Sequence, residues 1–335
     1  MLLLLLLFLG TVSATTNYFV SLTGNDSADG SSHNSPFKSV AKCLSVASVD
    51  GTCFLNGGRY DLEMYPLSIN QDITLAADPQ SDNGRPILDG SQLVQTTWKQ
   101  SSQQKCVYRS TALSGSPVSQ LWSSGMSKPT SPPSPSAQLD DFSPLTPARF
   151  PNALLHDDSV FDGHPTNTNG SLLYSKRTSS SGNIYDSGTH IPSLESSGID
   201  FTGMIAVLPL GTMGMLTQGV VIEKHGKGMN SFTYTPPPNT DGKGHLNIPY
   251  YIEGSCQLLD AEGEWCITKN TDETDNGNGT TSSYTISVWL ENCVHPSTVS
   301  LRGKVHDYLI HVTKRNTKVS LNGIVLWGGT LNVRF

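Results

Sequence analysis

The chain has 335 residues, 36% of them hydrophobic and 15% charged, with a net charge of −7. That length supports a sizeable core and one or two domains, and an acidic balance with no Lys/Arg block leaves no electrostatic footprint for a nucleic-acid partner. Low charge combined with 31 Gly and 20 Pro favours many short strands and turns over a helical bundle.

Residues 1–14 read as a signal peptide, with an apolar core from Leu2 to Leu9 and a small-residue cleavage site at Val12-Ser13-Ala14. That apolar run is too short to span a membrane, and no other stretch approaches the ~20 residues a span needs. A secreted, extracellular protein is expected. Six cysteines without a C-x-x-C pair suit disulfides better than zinc or redox chemistry. Sequons at Asn25, Asn169 and Asn278 mark expected glycosylation sites on a secretory route.

The mature chain opens with a strand, Tyr18-Phe19-Val20-Ser21, and an Asp/Gly turn from Gly24 to Gly30. Ser35 as N-cap and Pro36 at the first helical position predict a helix whose apolar face is Phe37, Val40, Ala41, Leu44 and Ala47. It should end before Asp50-Gly51. Cys43 on this helix and Cys53 on the following strand are close enough to bond. Short apolar strands follow: Gly51 to Leu55, then Ile69, Ile73 to Ala76, and Ile87-Leu88-Asp89-Gly90.

The order strand, DG turn, S-P-F helix, G-T strand and G-G-x-Y (Gly57-Gly58-Arg59-Tyr60) resembles the N-terminal module of secreted right-handed parallel β-helix proteins. That group includes polysaccharide lyases and several glycoside hydrolases. The resemblance implies that residues 15–92 are an N-terminal capping helix and the first coils. An amphipathic helix laid over the first coil covers its apolar core and blocks edge pairing.

Between Leu93 and Gly303 the rhythm changes. Strand signals at Cys106-Val107-Tyr108, Met204 to Leu208, Val220 to Ile222, Ser231 to Tyr234, Gln257-Leu258-Leu259 and Tyr284 to Leu290 predict an antiparallel β-sandwich or barrel inserted at 93–303. Ser123 to Pro147 and Asn270 to Thr281 read as loops. Cys256 and Cys266 flank a candidate hairpin and are expected to pair, which leaves Cys106 with Cys293 by elimination. Strands at Leu309 to Val312, Val319 to Leu321, Ile324 to Trp327 and Thr330 to Val333 resume β-helix spacing over 304–335. Phe335 falls in mid-coil, so the expectation is the N-terminal part of a longer protein.

Two segments of the interruption extend the resemblance: Ala148-Arg149-Phe150-Pro151-Asn152, and Tyr251-Ile252-Glu253-Gly254 with Leu258-Leu259-Asp260-Ala261-Glu262-Gly263-Glu264-Trp265. Both are similar to segments of β-helix glycoside hydrolases, including a β-xylosidase-like type, whose solenoid is split by a β-sandwich. The resemblance implies a carbohydrate-active protein with a polysaccharide or oligosaccharide as partner. It also implies catalytic carboxylates on later coils, which leaves the catalytic residues of this chain unassigned. A polysaccharide lyase is the neighbouring alternative, with Arg302, Lys304, Lys314 and Arg315 as the cations that would neutralise a uronate. A non-catalytic extracellular glycan-binding or adhesion protein is the alternative from another class.

Arg149 and Asn152 offer oriented donors to sugar hydroxyls, or else Pro151 fixes a turn that Asn152 ties down. Trp327 on a coil strand is either a sugar-stacking platform or a core residue. Glu262 and Glu264, two apart, invite an acid/base reading, although on an exposed hairpin such a pair is ordinarily solvated. Calcium at Asn25, Asp26 and Asp29 competes with simple Asx-turn chemistry, and no cofactor is expected. His306, Asp307 and His311 lack a third ligand for zinc, so no metal site is assigned. No Ser-His-Asp nucleophile motif, P-loop or Rossmann fingerprint is present.

Overall fold

A computed structural model describes residues 16–62, 66–115, 117–124, 142–152, 173–179, 182–188, 192–210, 216–237, 249–270, 283–306 and 308–333. The signal-peptide residues, Asp307 and the sequons at Asn169 and Asn278 lie outside them. The described residues fall into two compact units, residues 16–93 with 302–333, and residues 94–124 with 142–301.

The first unit begins with β1 (Asn17–Val20), α1 (Val40–Val46), β2 (Gly51–Leu55), β3 (Gly58–Asp61), β4 (Leu67–Ile69), β5 (Ile73–Ala77), β6 (Pro86–Asp89) and β7 (Ser91–Leu93). The helix starts a turn later than the sequence predicts. Residues 35–37 are held extended, because the Phe37 N–H donates to the Phe19 carbonyl at 2.9 Å and Phe37 bridges to Val20. Ser39 is the actual N-cap, its Oγ accepting from the Lys42 N–H, while Asp26 accepts from the N–H groups of Lys38 and Ser39 and from the Ser39 hydroxyl. Val40, Cys43 and Ala47 form the buried face with Phe37; Ala41, expected inside, is exposed. Gly30 sits at φ +69°, where an added Cβ would meet the Phe37 ring at 2.2 Å, so the turn closes over that ring only with glycine there.

Cys43 is bonded to Cys53. Closing a loop of this size contributes about 3 kcal/mol in the chain-entropy model. Replacing both cysteines by alanine is therefore expected to lower the unfolding free energy of this unit by that amount, measured in guanidinium titrations against the parent chain.

The second unit carries β8 (Trp98–Gln100), β9 (Val107–Ser110), β10 (Leu113–Ser114), β11 (Leu121–Ser124), β12 (Phe142–Pro147), β13 (Arg149–Phe150), β14 (Leu173–Ser179), β15 (Asn183–Asp186), β16 (Ile205–Leu210), β17 (Leu216–Val221), β18 (Ser231–Thr233), β19 (Pro249–Glu253), β20 (Glu264–Asn270) and β21 (Ser283–Trp289). One sheet runs β11-β12-β20-β21-β9-β8 and the other β17-β16-β19-β14-β15-β18. Their shared apolar cluster takes Val107 and Cys266 from the first sheet and Ile184, Ala206, Phe232 and Ile252 from the second. The pairing is antiparallel except at β12–β20, which is parallel, so the expected all-antiparallel insertion is mixed. Cys256–Leu258 form a single 3-10 turn rather than a strand, and Phe142–Pro147 form a strand where the sequence reads as loop. Cys256–Cys266 and Cys106–Cys293 are bonded.

The chain returns through β22 (Leu301–Lys304), β23 (Tyr308–Val312), β24 (Val319–Asn322), β25 (Val325–Trp327) and β26 (Thr330–Val333). Three parallel sheets result: β1-β2-β5-β24, β3-β6-β25 and β4-β23-β26. Read along the chain, β2-β3-β4, β5-β6-β23 and β24-β25-β26 visit these sheets in the same order each time. The interruption falls inside the second round, between β6 and β23. Its departing and returning strands are zipped antiparallel, with Gly303 opposite Gln92 and Lys304 opposite Ser91. The core of this unit is the inward face of all three sheets, including Leu55, Leu75, Leu88, Ile310 and the partly buried Leu326.

Candidate functional site

In sheet β3-β6-β25 the inward column is Tyr60, Leu88 and Leu326, all members of the apolar core. Strand alternation then turns the next column, Asp61, Asp89 and Trp327, to the outward face, and the ladder sets these three in register across the sheet. Trp327 thus lies on the outward side, half-buried. The Arg59 guanidinium carbon sits 5.8 Å from its ring centroid, close enough for a cation–π contact.

Asp89 faces outward yet is fully buried, because other polar groups roof it. Its Oδ1 accepts from the Ser91 N–H at 2.8 Å and the Ser91 hydroxyl at 2.7 Å. Its Oδ2 receives the guanidinium of Arg59 and Nη2 of Arg302 at 3.0 Å. Arg302 also donates from Nε to the Ser91 hydroxyl and from Nη2 to the Ser91 carbonyl, and reaches Asp61 Oδ1 at 3.0 Å. Two guanidiniums and two carboxylates therefore close on one another, with Asp61 on the solvent side.

The two carboxylate oxygens lie 3.0 Å from the same Arg302 nitrogen, so they are at most twice that distance apart. Retaining glycosidases hold their carboxyl pair ~5–5.5 Å apart with the scissile bond between them. Here the Arg302 guanidinium fills that gap and Asp89 is spent on four donors. The arrangement presents donors, a carboxylate and an indole on a sheet face; it leaves no room for a nucleophile and acid to flank a substrate bond.

A second constellation, in the other unit, brings together the two segments singled out by sequence. β13 pairs with β19, placing Arg149 opposite Glu253. Arg149 is buried, its guanidinium carbon 4.5 Å from the Tyr251 ring centroid and its Nη2 3.8 Å from Glu253. It donates from Nε to the Pro147 carbonyl. Burial pushes the Glu253 carboxyl up, opposed by Arg149. Glu264, expected in solvent, is only 3% exposed. Its oxygens accept from the N–H groups of Asp260 and Ala261, and from that of Arg149 at 3.4 Å. Burial raises its pKa to about 7, with Asp260 adding to the rise and the backbone donors opposing it. Glu262 is exposed, so the two glutamates do not act as a pair. Asn152 is exposed and donates from Nδ2 to Asp260 at 2.9 Å, tying the segment after Pro151 to the Asp260 turn. These contacts join two chain segments.

The other sequence candidates disperse. Asn25 accepts from the Ser27 N–H and Asp29 from the Ser31 N–H and hydroxyl; with Asp26 engaged at the helix cap, their oxygens brace the local backbone. His311 lies on β23 in register with Ser68 and Asn332, and His306 is half-buried. Among the described residues no group of three or more His, Cys, Asp or Glu side chains is arranged to hold a metal. Nor is any helix among them long and apolar enough to cross a membrane. The sequence reading missed this group: Arg59 entered it only within the G-G-x-Y motif and Asp89 only within a strand, and Asp61 and Ser91 not at all.

A family described as "Protein of unknown function (DUF1565)" matches residues 22–115. No curated protein matches the chain. A solved structure titled "Glycoside hydrolase" is 14% identical over 94% of this chain and 51% of its own, with a TM-score of 0.59. Another, titled "The complex structure of XylC with xylose", is 12% identical over 94% of this chain and 36% of its own, with a TM-score of 0.40. The chain thus spans about half the length of the first structure. That likeness is one of fold: a mostly β architecture shared with a glycoside hydrolase structure.

Proposed function

We propose that this chain belongs to a secreted carbohydrate-active protein of the glycoside hydrolase type, built on a right-handed parallel β-helix split by a β-sandwich-like unit. Its contribution is glycan binding on the outward face of sheet β3-β6-β25. The observation that carries the reading is the three-round succession of parallel sheets with a separate β unit entering the second round, on a chain that superposes over 94% of its length on a structure titled "Glycoside hydrolase" with a TM-score of 0.59. Trp327, Arg59 and Asp61 on that face supply an indole plane and oriented donors and acceptors, the chemistry that holds a sugar ring. Arg149 and Asn152 support the site less well, being committed within their own unit. Three disulfides and the exposed sequon at Asn25 support the extracellular assignment.

Calorimetric titration of the purified chain with xylo-oligosaccharides, alongside product analysis on xylo-oligosaccharides, pectin and alginate, tests the proposal. Binding of a neutral oligosaccharide without turnover is expected, and Trp327→Ala should weaken it by roughly tenfold, the loss of about 1–1.5 kcal/mol of ring contact. Turnover abolished by Glu264→Gln would instead place the active centre in the other unit.

A further inference from the structure

The ion-paired group on sheet β3-β6-β25 has an inside and an outside. Asp89 is fully buried and shared by both guanidiniums. Arg302 is met from outside by Asp61, whose side chain is 52% exposed while that of Arg302 is 11% exposed. Asp61 therefore stands where an incoming acidic group would stand, holding the outward donor of Arg302 at 3.0 Å. A guanidinium fork is the strongest side-chain partner for a carboxylate. A uronate carboxylate arriving at this face finds that nitrogen occupied and meets a like charge in Asp61.

We infer that Asp61 is a specificity-determining residue: its carboxylate occupies Arg302 and closes this sheet face to anionic sugars. The inference rests on the proposed placement of the glycan face and adds to it a residue that decides which glycans are refused. Removing the charge of Asp61 takes the exposed carboxylate away from Arg302, which keeps Asp89 and its bonds to Ser91. The face should then accept a carboxylate where the parent chain rejects one.

The test uses the full chain, tri-galacturonate as the anionic probe and xylotriose as the neutral one, titrated calorimetrically at low ionic strength so that the charge term is unscreened. Asp61→Asn is expected to bind tri-galacturonate about tenfold tighter than the parent chain, a difference of about 1.4 kcal/mol, so that the ratio of tri-galacturonate to xylotriose affinity rises. Asp61→Glu, which keeps the charge, should behave as the parent. Equal tri-galacturonate affinity in parent and Asp61→Asn, including undetectable affinity in both, overturns the inference. Asp61→Ser is a second charge-removing variant in case the asparagine chain does not fold. Failure of both to fold while Asp61→Glu folds would assign Asp61 to stability and also overturn it. If xylotriose binds to none of the chains but the gain for tri-galacturonate appears, the neutral-glycan reading falls and the role of Asp61 stands.

Discussion

Asp89→Ala is expected to destabilise the unit of parallel sheets by about 3–5 kcal/mol, the cost of removing one partner from a buried ion pair. The carboxylate receives Arg59, Arg302 and both donors of Ser91. Its loss leaves two guanidiniums and a buried hydroxyl without the acceptor they share. The effect should spread beyond sheet β3-β6-β25, because Arg302 and Ser91 belong to the antiparallel pair through which the chain leaves and re-enters the unit. Asp89→Asn, which keeps an acceptor oxygen but not the charge, should fall between the parent and the alanine variant. Denaturant titrations followed by hydrogen exchange at residues 58–61 and 86–91 order the three chains; an alanine variant as stable as the parent would show that the cluster contributes no net stability.

Glu264 gives the second large effect, and its sign runs opposite to that of a paired carboxylate. Burial raises its pKa from 4.5 to about 7, so the folded chain holds the proton more tightly than the unfolded chain does. Its contribution is fully present below pH 4.5 and is lost as the pH rises through about 7. The loss is about 3 kcal/mol over that window, at 1.36 kcal/mol per pKa unit. Glu253, also raised by burial, acts in the same direction, while His225, whose pKa burial lowers, opposes them with a smaller shift. The second unit should therefore melt at higher temperature at pH 5 than at pH 8, and Glu264→Gln should flatten most of that slope. A parent chain whose stability rises between pH 5 and pH 8 would contradict this assignment.

The residues that sequence made legible are those whose job is local. Short apolar runs and turn residues located strands in all three rounds, though not β3, and the cysteine positions yielded the bonded pairs. The helix start was misplaced because Ser35-Pro36 satisfies the N-cap rule as well as Ser39 does. Only the pairing of Phe37 with Phe19 and Val20, a contact across the turn, decides between them. The ion-paired group was illegible for a different reason. Asp61 and Asp89 are neighbours through strand register, and Arg302 joins them across the whole length of the interruption. Turns of unequal length between rounds hide the period that would have aligned the two aspartates. Glu264 read as a solvated hairpin residue because its burial depends on Arg149, which lies 115 positions away in the chain.

The central claim, a glycan-binding face on sheet β3-β6-β25, is tested most directly by hydrogen–deuterium exchange of the full chain with and without xylohexaose. Slowed exchange at residues 58–61, 86–91 and 325–328, absent in Trp327→Ala, is the predicted result. Protection confined to residues 149–152 and 260–265 of the other unit, or no protection at saturating sugar, would contradict it.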